Sequence, residues 1–161
     1  NVWRMMIGRW YRFGYACVNF GPPLSIRQYV GERQIDFRTM DETQRHIEVE
    51  QLGRRVMHEI GRVVPVTPVA LVASIFTQNP GKAFSELELK CATYSLMTKL
   101  EKQGAHLYVP RQDHDYAITV GLRMLTLRDL ASEHDGLYSA NPSELVLLRY
   151  YANSIAHLFA D

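Results

Sequence analysis

The chain has 161 residues, of which 47% are hydrophobic and 22% charged, enough apolar mass for one globular domain with a true core and too much for a disordered segment. Eighteen basic residues against seventeen acidic ones leave a formal charge of +1, which excludes an overall field of the kind that gathers nucleic acid. The longest apolar run, residues 63–76, contains Pro65 and Pro68 and falls short of the about 20 residues a bilayer core requires, and no signal-peptide pattern is present.

The chain opens on Asn1-Val2-Trp3-Arg4-Met5-Met6-Ile7, already rich in bulky apolar side chains, and closes on Ala156-His157-Leu158-Phe159 with no terminator. Both ends read as cuts from a longer polypeptide. Charge is uneven only near the start. Residues 1–33 hold five arginines against Glu32 alone, and Arg4, Arg9 and Arg12 interleave with Trp3, Trp10, Tyr11 and Phe13. Trp3, Arg4, Arg9, Trp10 and Arg12 are therefore the candidate contact with an anionic membrane or with a neighbouring domain.

Residues 14–20 are β-formers that stop at Gly21-Pro22-Pro23, which predicts one strand. Thr39 to Glu42 has capping-box spacing, and Val49, Leu52, Val56, Ile60 and Val63 follow at helical steps, predicting a long amphipathic helix over about 40–62. Glu50 with Arg54 and Glu59 with Arg62 lie on its solvated face. Thr67-Pro68 starts a second helix that is apolar nearly all round and must be buried. Asn79-Pro80-Gly81 ends it. Ser85 and Glu88 form another capping box, ahead of Leu89, Leu96, Met97 and Leu100 on one face up to Gly104.

His106 to Pro110 reads as a short extended piece. Asp113 or Asp115 can cap the next helix, with Ala117, Val120, Met124, Leu127 and Ala131 in helical step. Asp135-Gly136 predicts a tight turn between short strands. Asn141-Pro142-Ser143-Glu144 starts a last helix with Leu145, Leu148, Ala152, Ile155 and Phe159 on its core face. The fold class is α+β, predominantly helical, with amphipathic helices and a few short strands.

Six histidines invite a search for catalysis, because imidazole titrates near neutral pH. His58-Glu59 lacks a second His four residues after the first, so the zinc-protease spacing is absent. Asp113-His114-Asp115 reads as a helix start rather than a site. Cys17 and Cys91 match no metal or redox spacing and are expected as reduced, buried thiols, consistent with a cytoplasmic compartment. No phosphate loop, dinucleotide fingerprint or nucleophile elbow occurs, and neither a metal site nor a cofactor is implied. In the last helix Tyr150, Tyr151, Asn153 and His157 interrupt an apolar pattern; Asn153 and His157 lie one helical turn apart, and the reading is of buried polar groups that satisfy each other.

That segment, Tyr150-Tyr151-Ala152-Asn153-Ser154-Ile155-Ala156-His157-Leu158, resembles the Tyr-Tyr-x-Asn-x-Ile-x-His-Leu motif in the C-terminal region of bacterial glycerol-3-phosphate acyltransferases of the PlsB type. Val18-Asn19-Phe20-Gly21-Pro22-Pro23 resembles the element that closes the family's acyltransferase domain, and Glu59 to Ala73 resembles the stretch that follows it. The three lie in the family's order and cover most of the chain. The resemblance implies that residues 1–33 end an acyltransferase domain and 34–161 form a truncated helical C-terminal domain. It implies a parent enzyme that moves an acyl group from acyl-CoA or acyl-carrier protein to the 1-hydroxyl of glycerol 3-phosphate, giving lysophosphatidic acid for phospholipid synthesis.

Such a parent is expected as a peripheral protein on the cytoplasmic side of the cell membrane, its partners being the rest of the acyltransferase chain and an anionic membrane surface, with no nucleic acid. The family's catalytic His, followed by four residues and an Asp, has no counterpart here, nor has its phosphate-binding Gly-x-x-Arg motif, so no catalytic residue is carried over. The alternative is a winged-helix-like module that binds DNA or protein, suggested by the order of helices 68–77 and 85–103 and the later turn. Its recognition helix would place Lys90 and Lys99 beside Glu86 and Glu88, which is poor phosphate chemistry.

Overall fold

The computed structural model describes residues 17–159. The chain divides into two compact units, one of residues 18–65 and one that takes in Cys17 and Val66 onward.

The first unit is built on two helices. Ser25, after Pro22-Pro23, accepts from the backbone N–H of Gln28 and starts α1 (Ile26–Arg33), a helix the sequence reading did not anticipate. Tyr29 of α1 is buried, and its hydroxyl lies 3.4 Å from Glu48. The guanidiniums of Arg33 and Arg55 stand over its ring at 5.5 and 5.7 Å. Arg33 also grips Glu48 through two nitrogens at 3.0 and 3.1 Å.

Helix α2 (Glu42–Val63) is capped by Asp41, whose carboxylate accepts from Gln44 N–H at 2.8 Å. Thr39 instead closes the preceding turn onto the Asp36 carbonyl, so the cap lies two residues beyond the expected one. The expected strand over 14–20 is not formed where it can be seen. Residues 17–20 have no strand partner, Val18 and Phe20 are exposed, and Asn19 hydrogen-bonds its side chain to the Val63 carbonyl at 2.9 Å. β-forming side chains do not make a strand without a neighbour to pair with. Residues 14–16 lie outside the described residues.

The second unit encloses α3 (Pro68–Gln78). Thr67 caps it, Pro68 fills its first turn, and every residue from Ala70 to Phe76 is buried. Its polar residue Ser74 is satisfied by donating to the Ala70 carbonyl at 2.8 Å. After the turn at 79–81 comes β1 (Phe84–Ser85), where Phe84 meets Phe76 edge-on at 6.0 Å.

Both halves of the Ser85–Glu88 capping box are present: the Glu88 carboxylate accepts from Ser85 N–H at 2.8 Å, and the Ser85 hydroxyl accepts from Glu88 N–H at 3.3 Å. Helix α4 (Glu86–Lys102) follows, burying Leu89, Thr93, Leu96, Met97 and Leu100. It stops at Gly104, whose positive φ lets Ala105 N–H turn back to the Leu100 carbonyl. The extended piece at 106–109 joins the start of the unit through a parallel bridge between Leu107 and Val66.

Asp113 caps α5 (His114–Thr126), but the buried face is Ala117, Ile118, Gly121, Leu122 and Leu125. The expected stripe is therefore one residue out of phase. Val120 and Met124 are half-buried, Leu127 is largely exposed, and Ala131 belongs to a strand. The phase is chosen by Gly121, where a Cβ would stand 2.5 Å from the Pro68 carbonyl oxygen. Only a residue without a side chain lets α5 come so close to α3.

Strands β2 (Ala131–His134) and β3 (Leu137–Ala140) form the expected hairpin, with Asp135 and Gly136 both at positive φ as a primed turn demands. The sheet is antiparallel in the order β1-β3-β2. The elements of the second unit run α3-β1-α4-α5-β2-β3, and the helix before the hairpin is α5, not α4. Helix α6 (Leu145–Asn153) packs on α3 and buries Leu148 and Ala152.

The expected continuation of that helix through Phe159 is not seen. The Ser154 hydroxyl folds back to the Tyr151 carbonyl at 2.7 Å and a 3₁₀ turn, Ala156–Leu158, follows. Ile155 remains buried and Phe159 is only half-buried. The whole is α+β and predominantly helical.

Gly121→Ala forces a methyl group into the α3 backbone, and we expect a loss of about 1–3 kcal/mol in unfolding free energy, read by urea titration. An unchanged midpoint means the helices separate freely. The Glu88 carboxyl is held below its ordinary range by its bonds to Ser85, first to the backbone and then to the hydroxyl. A lowered folded value means that the stabilisation is complete above the ordinary glutamate range and is lost as pH falls through the folded value. Glu88→Gln therefore flattens the acid limb of the stability profile relative to the parent, and identical limbs would show that this carboxylate does not matter.

Candidate functional site

A concavity of about 510 Å³ in the second unit lies between α5, the hairpin and the start of α4. Glu86, Arg123, Asp129, Glu133 and Tyr138 bring its ionisable groups. Burial raises the Tyr138 phenol above its ordinary range, and the Glu133 carboxylate adds to that, so Tyr138 is a neutral hydroxyl at physiological pH. Beside the groove, Lys90 lies 2.9 Å from both Glu86 and Asp115, which raises its pKa, the Asp115 bond contributing most. This clasp joins α4 to α5. The Glu86–Lys90 half was legible as a four-residue helical spacing; the Asp115 half depends on how two helices cross. The groove combines three carboxylates with one guanidinium and the hydroxyls of Thr119, Thr126, Ser132 and Tyr138, and neither His nor Cys lines it.

The Asp113-His114-Asp115 run is divided among structural duties. Asp113 caps α5, Asp115 holds Lys90, and the His114 ring meets Tyr94 edge-on at 5.7 Å with its Nε2 3.6 Å from Glu101. His46 places Nδ1 3.0 Å from the Glu42 carbonyl, and His58, His106 and His134 are exposed. Among the described residues no three His, Cys, Asp or Glu are gathered to hold a metal ion. Cys17 is half-buried and Cys91 exposed, both free, so the expected buried thiols are not found. Cys91 falls on the outer face of α4, opposite its apolar stripe.

The Tyr150 to His157 segment splits between core and surface. Ile155 is buried, whereas Tyr150, Asn153 and His157 are exposed. Because α6 ends at Asn153, the one-turn spacing that would have stacked Asn153 on His157 is lost, and the two do not form the expected buried polar pair. Tyr151 is half-buried: its hydroxyl accepts from the Arg128 guanidinium, which also stands 5.5 Å above its ring. Tyr150 packs edge-on against Tyr151 at 5.8 Å. Trp3, Arg4, Arg9, Trp10 and Arg12 lie outside the described residues.

On α5, the helix before the hairpin, the exposed side chains are Asp115, Thr119 and Arg123, one carboxylate to one cation. That surface has no excess positive charge for a phosphate backbone and does not favour the alternative of a DNA-binding module. Among the described residues no helix is long and apolar enough to cross a membrane.

The family profile described as the glycerol-3-phosphate acyltransferase C-terminal region matches residues 5–161. The glycerol-3-phosphate acyltransferase of Pseudoalteromonas translucida is 27% identical over 158 residues, covering 92% of this chain and 19% of the relative. That of Shewanella baltica is 26% identical over 170 residues, covering 99% and 21%, and that of Pseudomonas fluorescens 24% over 157 residues, covering 92% and 19%. The chain thus spans about a fifth of the length of the curated relatives it matches. No solved structure matches it significantly. With a match from residue 5 to the last residue, the chain belongs to the family of glycerol-3-phosphate acyltransferase C-terminal regions.

Proposed function

We propose that this chain is the non-catalytic C-terminal part of an enzyme that transfers an acyl group from acyl-CoA or acyl-carrier protein to the 1-hydroxyl of glycerol 3-phosphate. The observation that supports it is the family match along nearly the whole chain, together with relatives that are glycerol-3-phosphate acyltransferases. In the reaction the hydroxyl oxygen attacks the thioester carbonyl, a base takes its proton, and the thiol leaves protonated. The product, lysophosphatidic acid, is a phospholipid precursor. The step needs an oriented imidazole within hydrogen-bond reach of the hydroxyl. None of His46, His58, His106, His114 and His134 is followed by four residues and an Asp, and in this reading that work falls to residues of the longer enzyme. The role left to this region is to complete and support the catalytic part, with residues 1–33 as its border and 34–161 as the helical domain.

The enzyme is placed peripherally at the cytoplasmic face of the membrane, where a lipid product must be delivered. Trp3, Arg4, Arg9, Trp10 and Arg12 are the proposed contact of this region, and two surfaces compete for them: the rest of the enzyme and an anionic leaflet. Nucleic acid is not among the partners.

Incubated with glycerol 3-phosphate and labelled acyl-CoA, the 161-residue chain is expected to give no lysophosphatidate, whereas the full-length enzyme does. Turnover by the chain that disappears when one of its histidines is replaced would overturn the non-catalytic assignment, and an inactive full-length protein would overturn the reaction.

Salt separates the two surfaces for the N-terminal arginines, because attraction to a charged leaflet is screened within about 8 Å at physiological ionic strength. For membrane contact, sedimentation with anionic vesicles weakens as salt rises and falls further in an Arg4, Arg9, Arg12→Ala triple variant, each arginine contributing about 1 kcal/mol. Equal recovery with neutral and anionic vesicles assigns the stretch to the enzyme's interior.

A further inference from the structure

Helix α2 runs for 22 residues and buries none of them. Its own unit covers one edge: α1 holds Glu48 and Arg55, and Asn19 holds the Val63 carbonyl, leaving Leu52 and Val63 half-buried. The unit itself leaves the rest of the apolar stripe open. Val49, Val56, Met57 and Ile60 are 54, 37, 65 and 48% exposed. Gly53 sits among them with nothing within 4 Å of where a Cβ would be. Positions 49, 53, 56, 57 and 60 recur at three- and four-residue steps, so they share one side of the helix. A contiguous apolar strip of this kind marks a contact surface.

Charge selects the partner. The helix has four glutamates (Glu42, Glu48, Glu50, Glu59) and four arginines (Arg45, Arg54, Arg55, Arg62), which cancel. Three of the arginines are paired, Arg54 with Glu50 at 2.7 Å, Arg55 with Glu32 at 3.2 Å and Arg62 with Glu59 at 3.3 Å. A helix that lies on an anionic leaflet has an excess of free cations on its polar face. A neutral, internally paired rim around an apolar strip suits a protein seam.

Length supplies the partner. The match covers about a fifth of each relative, and the family is a C-terminal region, so the bulk of such an enzyme precedes these residues in the same polypeptide. A tethered partner is present at high effective concentration and needs only a modest surface to dock.

We infer that the Val49, Gly53, Val56, Met57, Ile60 face of α2 is the docking surface for the preceding, acyl-transferring portion of the same polypeptide. The inference rests on the acyltransferase reading and adds the surface through which this region engages the catalytic part. Seated there, α2 places its apolar side chains against the catalytic portion while its paired charges stay in water.

The test uses the full-length enzyme with Cys17, Cys91 and any other reactive cysteine replaced by Ser, and Met57→Cys as a reporter. Maleimide labelling is timed in the full-length protein and in the 161-residue chain, with and without anionic vesicles and over a range of protein concentrations. A His58→Cys variant reports the opposite face, where the side chain is also exposed. The expected result is at least tenfold slower labelling of the Met57→Cys thiol in the full-length protein than in the chain, independent of vesicles and dilution, with the His58→Cys thiol fast in both.

Equal rates overturn the inference, as does protection of both faces alike. Protection that requires vesicles points to a membrane instead, and protection of the chain that grows with its own concentration points to a second copy; either overturns it. The acylation activity of the same full-length preparations distinguishes the two levels. An active enzyme with an unprotected reporter removes only the docking face, and an inactive parent removes the reading beneath it.

Discussion

Helix α3 has no side that can face water, and the rest of the second unit is arranged to enclose it. With Ala70 to Phe76 buried in succession, it has to be covered by α4, α5 and α6 together with β3, the middle strand of the sheet. Burying a Val, Leu, Ile or Phe is worth about 1.5–3 kcal/mol each, so one exposed side of this helix would forfeit much of a small domain's net stability. Its approach to α5 depends on Gly121 meeting the Pro68 carbonyl. Pro68 is well suited to that place. In the first turn of a helix it lacks an amide hydrogen that would have had no intrahelical partner, and its carbonyl is on the side where α5 crosses.

That enclosure explains why local signals predicted much of the second unit and failed at particular points. Thr67-Pro68, the Ser85–Glu88 box and Asp135-Gly136 are short-range chemistry: each satisfies or bends backbone within four residues, so no tertiary knowledge is needed to read them. The phase of α5 is different. Two apolar stripes one residue apart fit its sequence, and the choice between Val120 with Met124 and Ile118 with Leu122 was made by helix crossing at Gly121. The end of α6 was also beyond periodicity, because Ser154 competes for a carbonyl that the helix would otherwise use. Residues 17–20 carry strand-forming side chains, but a strand is a relation between two segments.

The same distinction runs through the candidate site. Spacing could show that none of His46, His58, His106, His114 and His134 is followed by four residues and an Asp, since that motif is local. It could not show that Asp115 reaches Lys90 on another helix, or that the Tyr151 hydroxyl takes a hydrogen bond from Arg128. These clasps lie between elements and lock α4, α5 and α6 to their neighbours. The ionisable groups of the groove are mostly carboxylates, and Lys90 beside it is shared by Glu86 of the groove and Asp115 outside it. These contacts tie neighbouring elements of the second unit together and engage Lys90 and Asp115 in an ion pair between helices.

Periodicity also says which residues share a side without saying what covers them. In α3 and α2 the sequence shows apolar residues at helical intervals, and the same pattern gives a buried helix in one and an exposed stripe in the other. What separates them is composition around the stripe. α3 has no charged residue from Pro68 to Gln78, so it can vanish into a core, whereas α2 has eight charges in 22 residues that must stay hydrated. Those charges confine burial on α2 to a strip, and their cancellation leaves the strip without attraction for a charged leaflet. A strip so bounded suits a protein surface of matching shape, and that is the ground of the docking inferred for α2.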